Sequence, residues 1–552
     1  MRTSRFTCII DMKPSRRLRL RAPGHIAMIA SCAAFAVASS AFAYPSGIGL
    51  SSLLAANPNL TGADINVAQV EASLNQNPPP DTFEVNPATV NQPQSKFTYI
   101  DYQGKSSATY NSAEGSSHAD TVGNLFYGGI PSGSSSSYGV APGVASVANY
   151  DAGWFGGNLI GLSENSTTQM LNPTGVQNPT VNNAQVINQS FIFAIPSTFT
   201  IAAQDQYIQN VDWAYDQYVN TYNTMIVSAV GNDATPSTTP YQINPPATAY
   251  NLIAVGSYNG QAEDGPTFDG RSKPDIVAPG GETSYATPLV SGAAALMIQA
   301  GNLSTGYPSS GTAGGWTQSQ YDDNAVLPQT VKALLMNGAV QPKGWTHTAT
   351  APLDPRYGAG VLNVDNAYQI LAAGRAAVSV SDTSTTVQTS PTITQASGWD
   401  VETLDNNGPL TVTSPTTFVD HYVFKAIAAN PGQADSFKAT LVWNAQTNVA
   451  TFTEKQTPIF LELFNAANGS LVSESISTVD NVQQIDTLLT PGDNYDLQVL
   501  TSGSNFSSSD VYALAFSTSP VAVATPEPAA LGLMAIGAGL LLLRRNRRSP
   551  GI

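Results

Sequence analysis

Short apolar runs alternate with amphipathic stretches in the first part of the chain. Five runs of strand length lie at 65–71, 144–152, 184–191, 223–233 and 251–259. Several are apolar at nearly every position, which is typical of strands buried on both faces of a sheet. Between the third and fourth runs, Tyr207, Val211, Tyr215 and Val219 recur every four residues and predict a helix. The alternation predicts an α/β domain with a doubly wound, mostly parallel sheet and helices on both faces.

A second helix is predicted from Tyr285 to Ala300, where small and apolar residues occur on almost every side. Such a helix is buried, because a surface helix keeps one polar face. Pro288 lies near its start, where a missing N–H costs little. Ser284 stands at the N-terminus of this helix and has two interpretations. It is an N-cap that accepts hydrogen bonds from free N–H groups, or a nucleophile near the positive end of the helix dipole.

The pattern changes after about residue 373. Short segments of alternating apolar and polar residues follow one another, separated by turn sequences such as AANGS and TPGDN. The segments are HYVFKAIA, SFKATLVWN, PIFLELFN, NYDLQVLT and VYALAFST. This period of two, with frequent turns, predicts an all-β sandwich over 373–520 that follows an α/β domain over 44–372.

The N-terminal segment, residues 1–43, has the order of a secretory signal peptide. A basic region precedes an apolar run, and Ala41, Phe42 and Ala43 form a small-x-small cleavage site. We therefore expect export and cleavage after Ala43. The alternative is an N-terminal membrane anchor.

The C-terminal segment, residues 521–552, contains Pro526-Glu527-Pro528, an apolar stretch over 529–543 and four arginines. This order resembles the PEP-CTERM sorting signal of Gram-negative bacteria. The resemblance implies transient insertion of a short transmembrane helix into the inner membrane. It also implies removal of the tail by an exosortase and release to the cell surface or extracellular matrix. The alternative is a plain C-terminal anchor.

Charge and cysteine content exclude several classes of function for the body of the chain. The formal net charge is −16, and half of the 22 Lys and Arg residues lie in the two terminal segments. The body is therefore more acidic than the total suggests, and we expect it not to bind nucleic acid. The two cysteines, Cys8 and Cys32, both lie in the N-terminal segment. The body thus has no thiol for a disulfide, for thiolate catalysis or for a cysteine metal site.

Several short blocks carry candidate chemistry. In chain order they are SSHADTVGN, GVAP, VINQS, VSAVGND, KPDIVAPG and TSYATPLVSGAAAL. Together they resemble the His, substrate-loop, Asn and Ser blocks of the subtilisin-like (S8) serine peptidases. The resemblance covers about residues 62–372 and implies a subtilisin-like fold for the α/β domain.

The resemblance also implies a role for each matching residue. Ser284 would be the nucleophile, His118 the general base, and Asn232 with the backbone N–H of Ser284 the oxyanion hole. The loops around Gly139–Pro142 and Asn188–Phe191 would hold an extended peptide. The residues expected to bind substrate are Gly139, Val140, Ala141, Pro142 and Ser190. Structural calcium is common in the family, so the resemblance allows it here, although the sequence has no diagnostic ligand cluster; the sequence indicates no cofactor with certainty and no metal-binding residue.

Three positions depart from the family pattern. The first block of the family ends a strand in V-A-V-I-D, whereas INVAQVE places Glu71 where the aspartate is expected. We predict that Glu71 is the acid of the triad, with Asp101 as the alternative. Ala119 replaces the family glycine after the histidine, and Glu282 replaces the glycine before the Thr-Ser pair. Both substitutions crowd the site.

The sequence therefore predicts an exported serine endopeptidase that acts on protein or peptide substrates through Ser284, His118 and Glu71. Two alternatives remain open at this stage. One is an impaired homologue whose groove binds peptides, which the three departures favour. The other is a surface-matrix protein in which the β-sandwich carries the function.

Overall fold

The computed structural model describes most of the body of the chain. The described residues are 8–9, 47–72, 82–132, 139–232, 243–304, 323–404, 417–427, 433–501 and 510–522. The predicted signal peptide and sorting signal lie outside them, apart from the backbone of residues 8–9. Within the described residues, no helix has the length and apolar character needed to cross a membrane.

Seven α-helices are found among the described residues. They are α1 (Leu50–Ala56), α2 (Ser117–Tyr127), α3 (Ala152–Phe155), α4 (Ile201–Tyr222), α5 (Thr283–Ser304), α6 (Pro328–Gly338) and α7 (Val364–Ala372). The helix predicted from the four-residue repeat is α4, and its repeat residues Tyr207, Val211, Tyr215 and Val219 are all buried. The predicted core helix is α5.

An eight-stranded sheet forms the centre of the first unit. Its strands are β2 (Asn66–Glu71), β3 (Phe97–Ile100), β4 (Ser106–Ser107), β5 (Ser146–Asp151), β8 (Val186–Gln189), β10 (Met225–Ala229), β11 (Ile253–Ser257) and β12 (Ile276–Ala278). The spatial order is β12-β11-β10-β8-β2-β5-β3-β4, and every pair is parallel except β3 with β4.

Both faces of this sheet are buried, as the continuous apolar runs predict. Alternate residues of one strand enter different cores: Val67 packs in the core that contains α2 and α5, whereas Ala68 packs in the core that contains α4. The doubly wound sheet with helices on both faces is therefore confirmed. Strand β2 is the first strand of this sheet along the chain, but it lies inside the sheet, between β8 and β5. The strand order therefore switches direction beside β2.

The second unit consists of two antiparallel sheets packed on each other, as predicted. One has the order β13-β15-β22-β19-β20 and the other β14-β23-β16-β21. Their strands are β13 (Val380–Asp382), β14 (Ser397–Thr403), β15 (Phe418–Lys425), β16 (Gln433–Trp443), β19 (Phe460–Asn465), β20 (Leu471–Ser475), β21 (Val482–Leu489), β22 (Asn494–Thr501) and β23 (Val511–Ala522). A shared apolar core fills the space between the sheets.

Three small antiparallel pairs complete the description. They are β6 (Leu162–Glu164) with β7 (Leu171–Pro173), β17 (Gln446–Asn448) with β18 (Thr453–Lys455), and β1 (Cys8–Ile9) with β9 (Ile192–Phe193). The hairpin β17–β18 belongs to the second unit but packs on α4 of the first. Trp213 of α4 and Phe452 of the hairpin meet edge to face, with ring centroids 4.9 Å apart.

Candidate active site

The candidate residues gather at one edge of the central sheet. Glu71 is the last residue of β2, Ser190 directly follows β8, and Asn232 lies three residues after β10. These strands are adjacent and parallel, so their carboxyl ends meet at the same edge. That edge, beside the point where strand order switches, is where sites form in open α/β sheets.

Glu71 and His118 are in direct contact. His118 is the second residue of α2, which Ser116 caps by accepting a hydrogen bond from Ala119 N at 3.2 Å. This cap fixes the first turn of the helix and directs the imidazole towards the end of β2. The distance from His118 Nδ1 to Glu71 Oε2 is 2.8 Å, and both side chains are buried. The Nδ1 proton thus points at the carboxylate, which leaves Nε2 as the basic nitrogen.

The surroundings of His118 set its pKa. Burial alone lowers the pKa, because it disfavours the charged imidazolium, but the charge and hydrogen bond of Glu71 outweigh burial. The charge of Glu282 adds a further, smaller increase. The net result is a pKa of His118 above its usual value. The imidazole therefore accepts and holds a proton more readily than a free histidine does.

The other imidazole nitrogen, Nε2, is buried and has no hydrogen-bond partner among the described residues. The ring lies near the start of α5, since its centroid is 6.1 Å from that of Tyr285, the residue after Ser284. A buried nitrogen without a partner is uncommon in native structures and indicates a group reserved for a reacting atom or for water.

Ser284 does not cap α5. The helix begins at Thr283, and the carbonyl of Glu282 accepts hydrogen bonds from Tyr285 N at 3.1 Å and Ala286 N at 3.2 Å. The Ser284 hydroxyl instead donates to the carbonyl of Ser190 at 3.2 Å. Since its hydroxyl is a donor across the sheet edge, the N-cap interpretation is wrong.

A buried polar network that sequence reasoning missed supports this end of α5. Ser190 Oγ donates to the carbonyl of Ser284 at 3.0 Å and accepts from Asn188 Nδ2 at 3.0 Å. Asn188 Oδ1 in turn accepts from Ser291 Oγ, about two turns further along α5 than Ser284, at 2.8 Å. The available signal was Ser291 itself, a polar residue in an otherwise apolar helix. The network ties β8 to α5 and so fixes the position of Ser284.

Asn232 is held by the residue before Ser284. Its side-chain oxygen accepts from Thr283 N at 2.9 Å and from Thr283 Oγ1 at 2.8 Å. Because the oxygen is committed to Thr283, the amide nitrogen points the other way. A fixed amide donor beside a helix N-terminus is the kind of group that can form an oxyanion hole.

The structure contradicts the predicted substrate role of residues 139–142. Gly139, Val140 and Ala141 are fully buried, and their N–H groups donate to the carbonyls of Gly128, Leu125 and Phe126 at the end of α2. Pro142 is half-buried, and its carbonyl accepts from Gln92. This segment caps α2 from inside the core, so it cannot contact an extended peptide.

The strand that follows Ser190 pairs with an extended segment. Ile192 and Phe193 form β9, which pairs antiparallel with the backbone of residues 8–9. Beside β9 lies a cleft of about 340 Å³, lined among others by Glu164, Leu171 and Tyr207. A two-residue strand has no periodicity, so the sequence pattern does not predict this surface.

Comparison with known proteins identifies the family. The model of the subtilase family, peptidase S8, matches residues 57–360, which is more than half of the chain. The chain belongs to the subtilase family. No curated protein matches the chain.

The comparison with solved structures assigns neither a fold nor a ligand to this chain. TmCBM61 in complex with β-1,4-galactotriose is 6% identical, over 23% of this chain and 82% of its own, with a TM-score of 0.14. The CBM51 of Clostridium perfringens GH95, in complex with methyl-galactose, is 12% identical, over 25% and 93%, with a TM-score of 0.14. A family 35 carbohydrate-binding module from Clostridium thermocellum is 17% identical, over 23% and 97%, with a TM-score of 0.13. Similarity at this level shows neither a shared fold nor a shared ligand.

The remaining sequence predictions for the subtilase site concern single residues. Ala119 is fully buried in α2, and its carbonyl accepts from Gln69 Nε2 at 2.9 Å. Glu282 is half-buried at the start of α5. Asp101 lies in the turn after β3, where it accepts hydrogen bonds from Gln103 N and Lys105 N. No group of three or more potential metal ligands occurs within the described part of the subtilase, so no calcium site is assigned.

Proposed function

We propose that this subtilase is an exported serine endopeptidase in which Ser284, His118 and Glu71 form the triad. The observation that carries the proposal is the 2.8 Å contact between His118 Nδ1 and Glu71 Oε2, together with the unpaired Nε2 of the same ring. The contact fixes the tautomer in which Nε2 can accept a proton. Ser284, at the mouth of α5, supplies the hydroxyl that a base at this position would activate.

The proposed reaction begins with a turn of the Ser284 side chain from Ser190 O towards His118 Nε2. The hydroxyl proton passes to Nε2 while Oγ attacks the peptide carbonyl, and the imidazolium is stabilised by the charge of Glu71. The resulting oxyanion accepts hydrogen bonds from Asn232 Nδ2 and Ser284 N. His118 then returns the proton to the leaving amine, and water hydrolyses the acyl-enzyme by the same steps.

The substrate would lie along β9. The antiparallel pairing of β9 with residues 8–9 supports an extended peptide at this edge, because the same backbone groups can pair with any sequence. Ser190, at the start of this edge, is the predicted substrate residue that remains part of the proposal. The acidic body of the chain again disfavours nucleic acid as a partner.

Covalent labelling with a fluorophosphonate tests the proposal, because only an activated serine reacts. The wild-type protein should be labelled and should cleave peptides. Ser284→Ala should lose the label and retain only the ~10³–10⁴-fold rate over water that binding and the oxyanion hole provide. Peptide hydrolysis by Ser284→Ala at the wild-type rate would refute the assignment.

A peptide-binding homologue without turnover is the second candidate, and a specific contact favours it. The Ser284 hydroxyl is bonded to Ser190 O rather than to His118 Nε2. This candidate predicts no label in the wild-type protein but saturable binding of an extended peptide. A third outcome, neither label nor peptide binding, would favour a surface-matrix role for the β-sandwich.

Export and sorting form a separate part of the proposal, based on the terminal motifs in the sequence. A signal peptide ending at Ala43 and the Pro526-Glu527-Pro528 signal support processing at both ends by a signal peptidase and an exosortase. Intact-mass analysis of protein from the surface of its native host should show a start at Tyr44 and no arginine cluster. Surface protein with the complete C-terminus would refute the sorting claim.

A further inference from the structure

Glu71 has a second hydrogen-bond partner besides His118. Its other oxygen, Oε1, accepts from Gln69 Nε2 at 2.8 Å. The same amide nitrogen also donates to the carbonyl of Ala119 at 2.9 Å, so both of its hydrogens are used. Gln69 and Glu71 are two residues apart on β2 and therefore project from the same face of the sheet. Neither side chain is accessible to water.

A third buried side chain fixes Gln69. The Tyr127 hydroxyl donates to Gln69 Oε1 at 2.5 Å. Burial raises the pKa of Tyr127 well above its usual value, with smaller contributions from neighbouring groups including Glu71. Tyr127 is therefore always protonated and always a donor, which forces Gln69 to present its nitrogen, not its oxygen, to Glu71.

The contact between Tyr127 and Gln69 depends on the glycine at position 123 of α2. A Cβ atom at Gly123 would lie 3.0 Å from the Tyr127 hydroxyl and 3.2 Å from Gln69 Oε1. Both distances are shorter than ordinary van der Waals contact. The glycine thus allows the hydroxyl and the amide to meet against the helix.

We propose that Gln69, held by Tyr127, is a positioning residue that lets a glutamate serve as the acid of the triad. A glutamate has one more rotatable bond than an aspartate, so its carboxylate needs a second contact to stay in line with His118 Nδ1. The family block V-A-V-I-D has a valine at the place of Gln69, which cannot give that contact. The inference rests on the proposed function, in which Glu71 orients His118.

A double-mutant cycle tests the proposal. Gln69→Met has nearly the same shape but no hydrogen-bonding group that could hold Glu71. In the Glu71 protein we expect Gln69→Met to lower kcat by about 10- to 100-fold with KM little changed, since a misplacement of about 1 Å costs this much. In a Glu71→Asp background the carboxylate is one methylene shorter and cannot reach residue 69. There the same substitution should change kcat less than threefold.

Tyr127→Phe is the second arm, because it removes only the hydroxyl and leaves the volume unchanged. It should lower kcat in the same direction as Gln69→Met but by less, with coupling to Gln69→Met. Thermal melting of each variant establishes that it folds. Equal losses of kcat in the Glu71 and Glu71→Asp backgrounds would overturn the proposal, because they would make Gln69 an ordinary packing residue.

A measurement that does not need turnover separates this inference from the proposed function. In Ser284→Ala protein, the proton on His118 Nδ1 should give a low-field resonance because of its contact with Glu71. Gln69→Met should broaden this resonance or move it upfield. An unchanged resonance would overturn the positioning role even if the enzyme is active. A missing fluorophosphonate label with a Gln69-dependent resonance would refute the proposed function alone.

Discussion

Replacing Glu71 by glutamine tests the triad most directly, because the structure dictates which way the new amide must face. In the native site Glu71 Oε1 accepts from Gln69 Nε2 and Oε2 accepts from His118 Nδ1. A glutamine has only one oxygen for these two donors. Gln69 cannot reverse its own amide, since its oxygen accepts from Tyr127 and its nitrogen also donates to Ala119 O. The oxygen of the new amide therefore stays with Gln69, and its NH₂ faces His118.

That orientation determines the size of the effect. An NH₂ group opposite Nδ1 makes this nitrogen an acceptor and moves the imidazole proton to Nε2, where it blocks transfer from Ser284. The change also removes the negative charge that stabilises the imidazolium. We expect kcat to fall by up to ~10⁴-fold, or about 5.4 kcal/mol of transition-state stabilisation, with KM little changed. Glu71→Asp keeps the charge but places the carboxylate further from His118. Its activity should therefore lie between those of Glu71→Gln and the wild-type protein.

The assay is steady-state hydrolysis of a chromogenic peptide, with thermal melting to verify that each variant folds. Asp101→Asn is the matched control, because it is the same chemical change at the other candidate acid. The carbonyl oxygen of the asparagine can still accept from Gln103 N and Lys105 N, so the turn should survive. A folded Glu71→Gln with wild-type kcat, together with an inactive Asp101→Asn, would refute the reasoning and transfer the role to Asp101.

Two further predictions concern pH dependence and stability. Glu282→Gln removes a charge that raises the pKa of His118, so the acid limb of the pH profile of kcat/KM should move to lower pH. The remote Glu474→Gln should leave the acid limb in place. A shift to higher pH in Glu282→Gln would contradict the electrostatic argument. Asn337→Ala removes the hydrogen bonds from Asn337 Nδ2 to Thr440 Oγ1 and Ala515 O and the bond that Asn337 Oδ1 accepts from Ser517 Oγ. The loss of three hydrogen bonds at a largely buried position should lower the free energy of unfolding by about 3 kcal/mol. Exposed Asn158→Ala should cost under about 0.5 kcal/mol in the same denaturation experiment, and equal effects of the two substitutions would contradict the hydrogen-bond argument.

The local hydrophobic pattern was sufficient to predict the elements that bury mainly apolar side chains. The four-residue repeat predicted α4, and continuous apolar character predicted α5 and the central strands, because these elements bury apolar side chains on all or most of their surface. The blocks around His118, Asn232 and Ser284 could be recognised because the residue types are specific. Their association at one sheet edge follows from parallel strands, which the alternation of strands and helices had indicated.

The hydrophobic pattern gave wrong predictions, or none, where polar side chains are buried and where a loop is buried. Strand β21 was missed because Gln483 and Gln484 are fully buried, and Gln483 Nε2 donates to the carbonyls of Ile459 and Ser477. The segment 139–142 reads as a surface loop from its glycine and proline, although it is buried against α2. Gln69 likewise reads as a polar interruption of β2. In each case at least one hydrogen-bond partner lies more than ten residues away in the sequence, so the local pattern does not show it.

The contacts between the two units bear on what the β-sandwich does for the peptidase. Helix α6 packs on β16 and β23, and one apolar core includes Leu335 of the helix together with Val442 and Ala513 of the sandwich. Lys438 Nζ donates to the carbonyl of Ala339 at 2.7 Å, across the same interface. A shared core unfolds as one unit, unlike a module on a linker. The sandwich is therefore part of the folding unit that holds α5, whatever it binds on its outer surface, and its removal would expose the buried face of α6.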